Sequence, residues 1–101
     1  MVTHELKCDA RWFDAVWRRE KTHELRRADR PYRMGDELRL IEMDDGKPTG
    51  RVLSCGVGHI LTHEDFPAGL QPGYAVLSLT GVIGAYRSWP DIAASGWEAD
   101  A

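Results

Sequence analysis

The stretch Glu20-Lys21-Thr22-His23-Glu24-Leu25-Arg26 follows an apolar, aromatic segment with helical spacing and places a carboxylate between two cations. If the stretch is a strand, Thr22, Glu24 and Arg26 share one face, because side chains alternate with a period of two. Lys21 can reach that face from the junction between helix and strand. We therefore predict a cluster of Lys21, Glu24 and Arg26 that binds a nucleobase or a phosphate. The alternative is an edge strand protected by solvated charges.

Periodicity and turn residues predict the elements around this stretch. The predicted strands are, in chain order, residues 4–8, 21–27, 37–43, 51–61 and 74–79. Asp9 is a suitable N-cap for a helix that ends near Arg19. The run Asp44–Lys47 is typical of a hairpin turn. Gly56 and Gly58 interrupt the fourth strand, which indicates a bulge or barrel corner, or alternatively close backbone access for a ligand.

Short strands with one helix between the first and second predict an α+β fold built on a small, partly closed β-barrel of about five to six strands. We expect an irregular or helical loop at residues 62–73, before the closing strand. A chain of 101 residues makes one domain. We place it at residues 1–80 and assign residues 81–101, with Trp89 and Trp97, to a C-terminal tail that packs on the barrel, contacts a partner or is partly disordered.

The overall charge argues against one class of function. The formal net charge is −3, which disfavours tight, sequence-blind binding to duplex nucleic acid through many phosphate contacts. A local basic patch is nevertheless predicted, at Arg18, Arg19, Lys21, Arg26, Arg27, Arg30 and Arg33. The N-terminus lacks a basic-then-apolar signal, and no apolar run approaches membrane-spanning length, so a cytoplasmic location is expected.

The cysteines and histidines do not indicate a metal or cofactor. Cys8 and Cys55 lack a catalytic signature around them and are predicted to be reduced core residues. His59 and His63 are four residues apart, but the pattern H-E-x-x-H is not present. We therefore predict no metal site and no cofactor.

Lys21, Glu24 and Arg26 match the pattern G-x-K-x-x-E-x-R, with Arg19 where glycine is usual. On this pattern the chain resembles the ASCH domains, a branch of the PUA-like superfamily, and in particular a small bacterial and phage ASCH-like subfamily. The resemblance covers about residues 3 to 80. Its other segments are Thr3–Lys7, Trp12–Val16, Asp29–Arg30, Met34–Leu38 and Leu70–Leu79.

The resemblance implies a PUA-like fold whose cleft beside the barrel admits an exposed or modified base, and hence a module that binds RNA, single-stranded nucleic acid or a modified nucleoside. Glu24 would accept a hydrogen bond from an exocyclic amine, while Lys21 and Arg26 would meet carbonyl or phosphate oxygens. Tyr32 or Trp12 would stack on the base. The expected ligand-binding residues are His4, Lys7, Trp12, Thr22, Arg26, Arg30 and Tyr32. His4 and Lys7 would line one pocket with Lys21, Glu24 and Arg26 if the first strand pairs with the strand at residues 21–27.

Two alternatives remain open. Some ASCH proteins resemble amidohydrolases that act on acylated cytidine. Lys21 matches their lysine, but Glu24 occupies the place of their threonine nucleophile, with Thr22 nearby. Hydrolysis of such a nucleoside or of single-stranded RNA, with Lys21 and Glu24 as the catalytic acid and base, is therefore the second hypothesis. The third is a protein-interaction accessory module.

Overall fold

A computed structural model describes residues 1–86 of the protein. The part of the predicted tail that holds Trp89 and Trp97 lies outside the described residues. The elements are β1 (Thr3–Asp9), α1 (Ala10–Trp17), β2 (His23–Arg27), β3 (Glu37–Asp44), β4 (Lys47–Thr62) and β5 (Tyr74–Tyr86).

The strands form one mixed, five-stranded sheet in the order β1-β3-β4-β5-β2. β1 pairs in parallel with β3, and the other neighbours are antiparallel. The sheet is a half-barrel, and β1 and β2 are its two edge strands. The predicted α+β class, with a small barrel-like sheet and one helix between the first two strands, is confirmed.

The hydrophobic core lies between α1 and the sheet. Phe13 and Val16, on one face of α1, are fully buried, and Asp9 caps the helix by accepting a hydrogen bond from the backbone N–H of Arg11 at 2.8 Å. The strands contribute every second residue to this core, as a sheet with one covered face requires. Its buried strand members are Leu6, Cys8, Leu38, Leu40, Leu53, Cys55, Val57, Ala75, Leu77 and Leu79.

A partly buried ion cluster connects α1 to the sheet, with Glu42 as its one buried member. The Arg51 guanidinium donates to Glu42 Oε2 and to Asp14 Oδ1, both at 2.6 Å. It also lies 5.0 Å from the ring centroid of Phe13. The hydrogen bonds to Glu42, and then those to Asp14, raise the pKa of Arg51. The cluster therefore fixes the helix above the sheet by charge as well as by packing.

Gly56 and Gly58 lie at two bulges, where the register between β4 and β5 shifts. A Cβ on Gly58 would be 2.6 Å from Thr80 Cγ2, and one on Gly56 would be 2.9 Å from Thr80 Oγ1. Such distances are far below van der Waals contact, so glycine permits the close approach of the two strands. The bulge predicted from these residues is confirmed.

The hairpin turn between β3 and β4 forms where it was predicted, whereas the last strand is longer than predicted. Asp45 and Gly46 both have positive φ, 51° and 74°, as a two-residue type I′ hairpin turn requires. β5, however, continues to Tyr86, and its last residues pair with Arg51–Ser54. The predicted boundary at residue 80 therefore falls inside a paired strand.

Arg19 occupies the left-handed backbone region, with φ of 62°. Helix α1 ends there in a Schellman motif, in which the backbone N–H of Glu20 donates to Ala15 and that of Arg19 donates to Val16. The residue after a helix C-cap often has this conformation, and it is then usually glycine. The turn thus keeps the shape that glycine would give it, although arginine is present.

We expect Arg19→Gly to have a free energy of unfolding about 1 kcal/mol higher than Arg19→Ala, because a Cβ at positive φ is strained. Both variants lose the hydrogen bond from Arg19 to the Val82 carbonyl, so their difference isolates the backbone term. Urea denaturation of both variants measures it. Equal midpoints and slopes would contradict the backbone explanation.

Candidate functional site

Lys21, Glu24 and Arg26 converge on one point at the inner side of β2. Lys21 Nζ lies 3.1 Å from Glu24 Oε1, and Arg26 Nε and Nη2 lie 2.9 and 2.7 Å from Glu24 Oε2. The Glu24 side chain is only 8% exposed, whereas those of Lys21 and Arg26 are 18% and 27% exposed. A buried carboxylate is therefore held by two cations that reach solvent.

This arrangement leaves hydrogen-bonding capacity for a ligand. A carboxylate offers about four lone-pair sites, and among the described residues Oε1 of Glu24 accepts only from Lys21. The Lys21 ammonium has three protons, of which one goes to Glu24 and one to the carbonyl of His23 at 2.6 Å. An unused acceptor and an unused donor therefore lie side by side.

The cluster lies where the half-barrel does not close. β1 and β2 do not pair with each other; instead, arginine side chains link their facing edges. Arg26 Nη2 donates to the Lys7 carbonyl, and Arg30 Nη1 donates to the Glu5 carbonyl at 3.2 Å. The guanidinium groups thus satisfy alternate carbonyls of β1 that a neighbouring strand would otherwise bond.

A cleft of about 490 Å³ opens beside the cluster. The Trp12 indole, 47% exposed, forms part of its wall, and the Arg11 guanidinium lies 4.6 Å from the centroid of that ring. Arg11 therefore covers one face of the indole, which leaves the other face free of that guanidinium. The lining residues are Trp12, Lys21, His23, Glu24 and Leu25.

A smaller depression, of about 160 Å³, adjoins the cleft. The cleft and the depression together are called the gap. Arg26 forms part of the depression, while its partner Glu24 lines the larger cleft, so the Arg26–Glu24 contact lies between the two spaces. Its lining residues are Leu6, Arg26, Arg27, Asp29, Arg30 and Tyr32.

Three of the predicted ligand-binding residues do not line either space. His4 is buried and bonds Asp36 at 2.8 Å, with its ring 4.8 Å from that of Tyr32. Lys7 offers its carbonyl to Arg26, whereas alternation along β1 turns its side chain away from the core face that holds His4. Thr22 is exposed before β2, and its carbonyl accepts from Leu79. The expectation that His4 and Lys7 join the Glu24 cluster in one pocket is corrected accordingly.

Asp36 has a structural role beside His4. Its carboxylate accepts from His4 and from the backbone N–H groups of Val2 and Arg33. The bond from His4, then that from Val2, lowers the pKa of Asp36. These contacts anchor the start of β1 to the turn before β3.

Five residues that were not predicted as site residues also line the two spaces: Leu6, His23, Leu25, Arg27 and Asp29. His23 and Leu25 alternate with Glu24 and were expected on the opposite face of β2. Because β2 is an edge strand, its outer face also borders the cleft. Leu25, an apolar residue between the charged Glu24 and Arg26, was the available signal in the sequence.

The thiols are not placed for nucleophilic chemistry. Burial, with a further contribution from the negative charge of Glu24, raises the pKa of Cys8 to about 12 and that of Cys55 to about 11. Among residues 1–86, no group of three or more His, Cys, Asp or Glu side chains is arranged to hold a metal ion. Within the same residues, no helix has the length and apolar character needed to cross a membrane.

Fold and site together define a small α+β domain with a half-barrel sheet and a charged cleft beside the edge strand β2. Residues 3–79 match the family described as Domain of unknown function (DUF3850), and the chain therefore belongs to that family. The match runs from β1 into β5 and includes both spaces of the gap.

A relative from Escherichia phage P2, "Uncharacterized 12.9 kDa protein in GpA 3'region", is 36% identical over 63 residues. The aligned part is 62% of this chain and 58% of that protein, so the chain spans little more than half of its relative. Neither description names an activity, and the resemblance to ASCH domains stays a prediction.

Proposed function

We propose that the protein is a PUA-like, ASCH-type module that binds RNA, another single-stranded nucleic acid or a modified nucleoside, with a base in the 490 Å³ cleft. The observation that carries the proposal is the buried Glu24 carboxylate, which faces this cleft beside the half-exposed Trp12. A base out of its stack is recognised by hydrogen bonds to its edge and by an aromatic wall. The cleft has side chains suited to both kinds of contact.

Each side chain has a distinct role in this proposal. Glu24 Oε1 accepts a hydrogen bond from an exocyclic amine of the base, and Lys21 Nζ, 3.1 Å from that oxygen, donates to a neighbouring ring nitrogen or carbonyl. Trp12 stacks on the base through the face that Arg11 leaves free. Arg26 orients Glu24 with two hydrogen bonds.

Fluorescence anisotropy with a labelled single-stranded RNA, and calorimetry with an N-acylated cytidine, test the proposal. We expect Trp12→Ala, Lys21→Ala and Glu24→Gln each to weaken binding about tenfold or more, since stacking on one aromatic side chain contributes roughly 1–3 kcal/mol. Affinity for RNA should also fall with rising salt. Arg39→Ala is the control, because Arg39 lines neither space of the gap.

Equal affinities for the native protein and all three cleft variants would remove the cleft from the proposal. If neither probe binds the native protein, the protein-interaction hypothesis is favoured instead. In that case substitutions of Lys21 and Glu24 should change stability alone.

One observation favours a second candidate, a hydrolase. Lys21 and Glu24 lie within hydrogen-bonding reach of each other, as an acid–base pair must. Thr22, the available threonine hydroxyl, lies outside the cleft, however. Incubation with acylated cytidine and with single-stranded RNA, followed by product analysis, distinguishes the two functions: turnover lost in Lys21→Ala and Glu24→Gln would establish the hydrolase.

A further inference from the structure

The smaller depression has an excess of positive charge. Arg26, Arg27 and Arg30 face it with a single carboxylate, that of Asp29. Arg26 is already paired with Glu24. Arg27 and Arg30, in contrast, make no ion pair within 4.0 Å among the described residues. The smaller depression therefore holds two guanidinium groups that lack a carboxylate partner. It forms one end of the gap, and the larger cleft, which is proposed to bind the base, forms the other.

The chemistry of these groups suits a phosphate. Arginine presents its N–H groups in a planar fork that matches phosphate oxygens. The bond from Arg30 Nη1 to the Glu5 carbonyl restricts that side chain and leaves its remaining N–H groups available. Burial raises the pKa of Tyr32 above its usual value, against the opposing effect of Arg30 and Arg26, so its phenol is protonated at neutral pH and can donate.

We propose that Arg27 and Arg30, with the phenol of Tyr32, bind a phosphate of the ligand whose base occupies the Trp12 cleft. The inference rests on the proposed function and narrows it to nucleotides and single strands, rather than free nucleosides. Glu24 lines the larger cleft, and Arg26, two residues further on the same face of β2, lines the smaller depression, so the two spaces are about 7 Å apart along the strand. This separation suits a base and a phosphate of one ligand that follows the gap.

The experiment compares cytidine, cytidine 5′-monophosphate, cytidine 3′-monophosphate and a short oligocytidine by calorimetry, on the native protein and on Arg27→Gln/Arg30→Gln. We expect at least one monophosphate to bind the native protein about tenfold more tightly than cytidine. That advantage, taken as the ratio of the two affinities on the same protein, should fall to about twofold or less in the double variant. The oligocytidine arm shows whether a phosphate within a strand is bound as well as a terminal one. Arg39→Gln, outside the gap, is the matched control.

A second readout does not depend on the base. Inorganic phosphate should shift the side-chain Nε–H signals of Arg27 and Arg30 in an NMR titration and leave that of Arg39 in place. Cytidine binding without any phosphate advantage, and without these shifts, would overturn the phosphate site and leave the base cleft standing. Shifts with phosphate but no binding of cytidine or nucleotide would overturn the base cleft instead. Absence of binding by every probe would overturn both.

Discussion

Phe13→Ala is expected to lower the free energy of unfolding by about 3–5 kcal/mol, the usual cost of truncating a fully buried aromatic side chain. Phe13 is 0% exposed, and it lies between Trp17 of its own helix and the Arg51 guanidinium. Among residues 1–86, α1 is the only helix that packs on the sheet. No second helix can therefore fill the cavity that Phe13→Ala would leave in the core. Urea denaturation followed by far-UV circular dichroism measures the change.

Trp12→Ala is the matched control, because Trp12 is the neighbouring residue on the same helix and is 47% exposed. We expect this variant to lose about 1 kcal/mol or less. If the native domain is too marginal for Phe13→Ala to fold, Phe13→Leu gives a smaller loss that still exceeds that of Trp12→Ala. A loss for Trp12→Ala as large as that for Phe13→Ala would show that Trp12 is a core residue and would weaken its role as a stacking platform.

Local patterns in the sequence were sufficient to predict much of the site. Alternation along β2 placed Glu24 and Arg26 on one face, and Lys21 could reach it from the preceding turn. These relations span only a few residues, so backbone geometry alone determines them. The same holds for the hairpin turn at Asp45 and Gly46, whose conformation depends on two residues.

Relations between distant segments were not predictable in this way. β1 pairs with β3 and not with β2, and the hydrogen bond of His4 goes to Asp36, 32 residues away. Which strands pair depends on contacts between residues far apart in the sequence, including those of α1 with the sheet. No local periodicity encodes such contacts. The continuation of β5 past residue 80 depends likewise on its partner β4, whose length was underestimated.

The unpaired edges of β1 and β2 shape the surroundings of the proposed ligand site. Where a closed barrel would have a backbone ladder, this protein has guanidinium groups of Arg26 and Arg30 bonded to carbonyls of β1. Side-chain bonds of this kind satisfy the strand edge and leave space on either side of them. The unpaired edge of β1 therefore borders the smaller depression, through Leu6, whereas residues of α1, β2 and the turn between them line the larger cleft.

Arg51→Ala is expected to lower the free energy of unfolding by about 3–5 kcal/mol, because it leaves a buried carboxylate without its cation. The Glu42 side chain is only 4% exposed, and its remaining side-chain hydrogen bond comes from Thr49. Asp14 on α1 loses the same partner, so helix docking weakens as well. Denaturation in urea at neutral pH gives the change in free energy.

Arg39→Ala is the matched control for this prediction, since the side chains of Arg39 and Arg51 are 31% and 29% exposed. The partners differ: those of Arg39 are Glu5 and Glu37, at 3.5 and 3.6 Å, and they are 40% and 32% exposed. Exposed pairs contribute about 1 kcal/mol or less, so Arg39→Ala should cost no more than that. Adding Glu42→Gln to Arg51→Ala should recover part of the loss, because it removes the buried charge. Equal losses for the two arginine variants, or no recovery in the double variant, would show that burial of the carboxylate is not what makes Arg51 important.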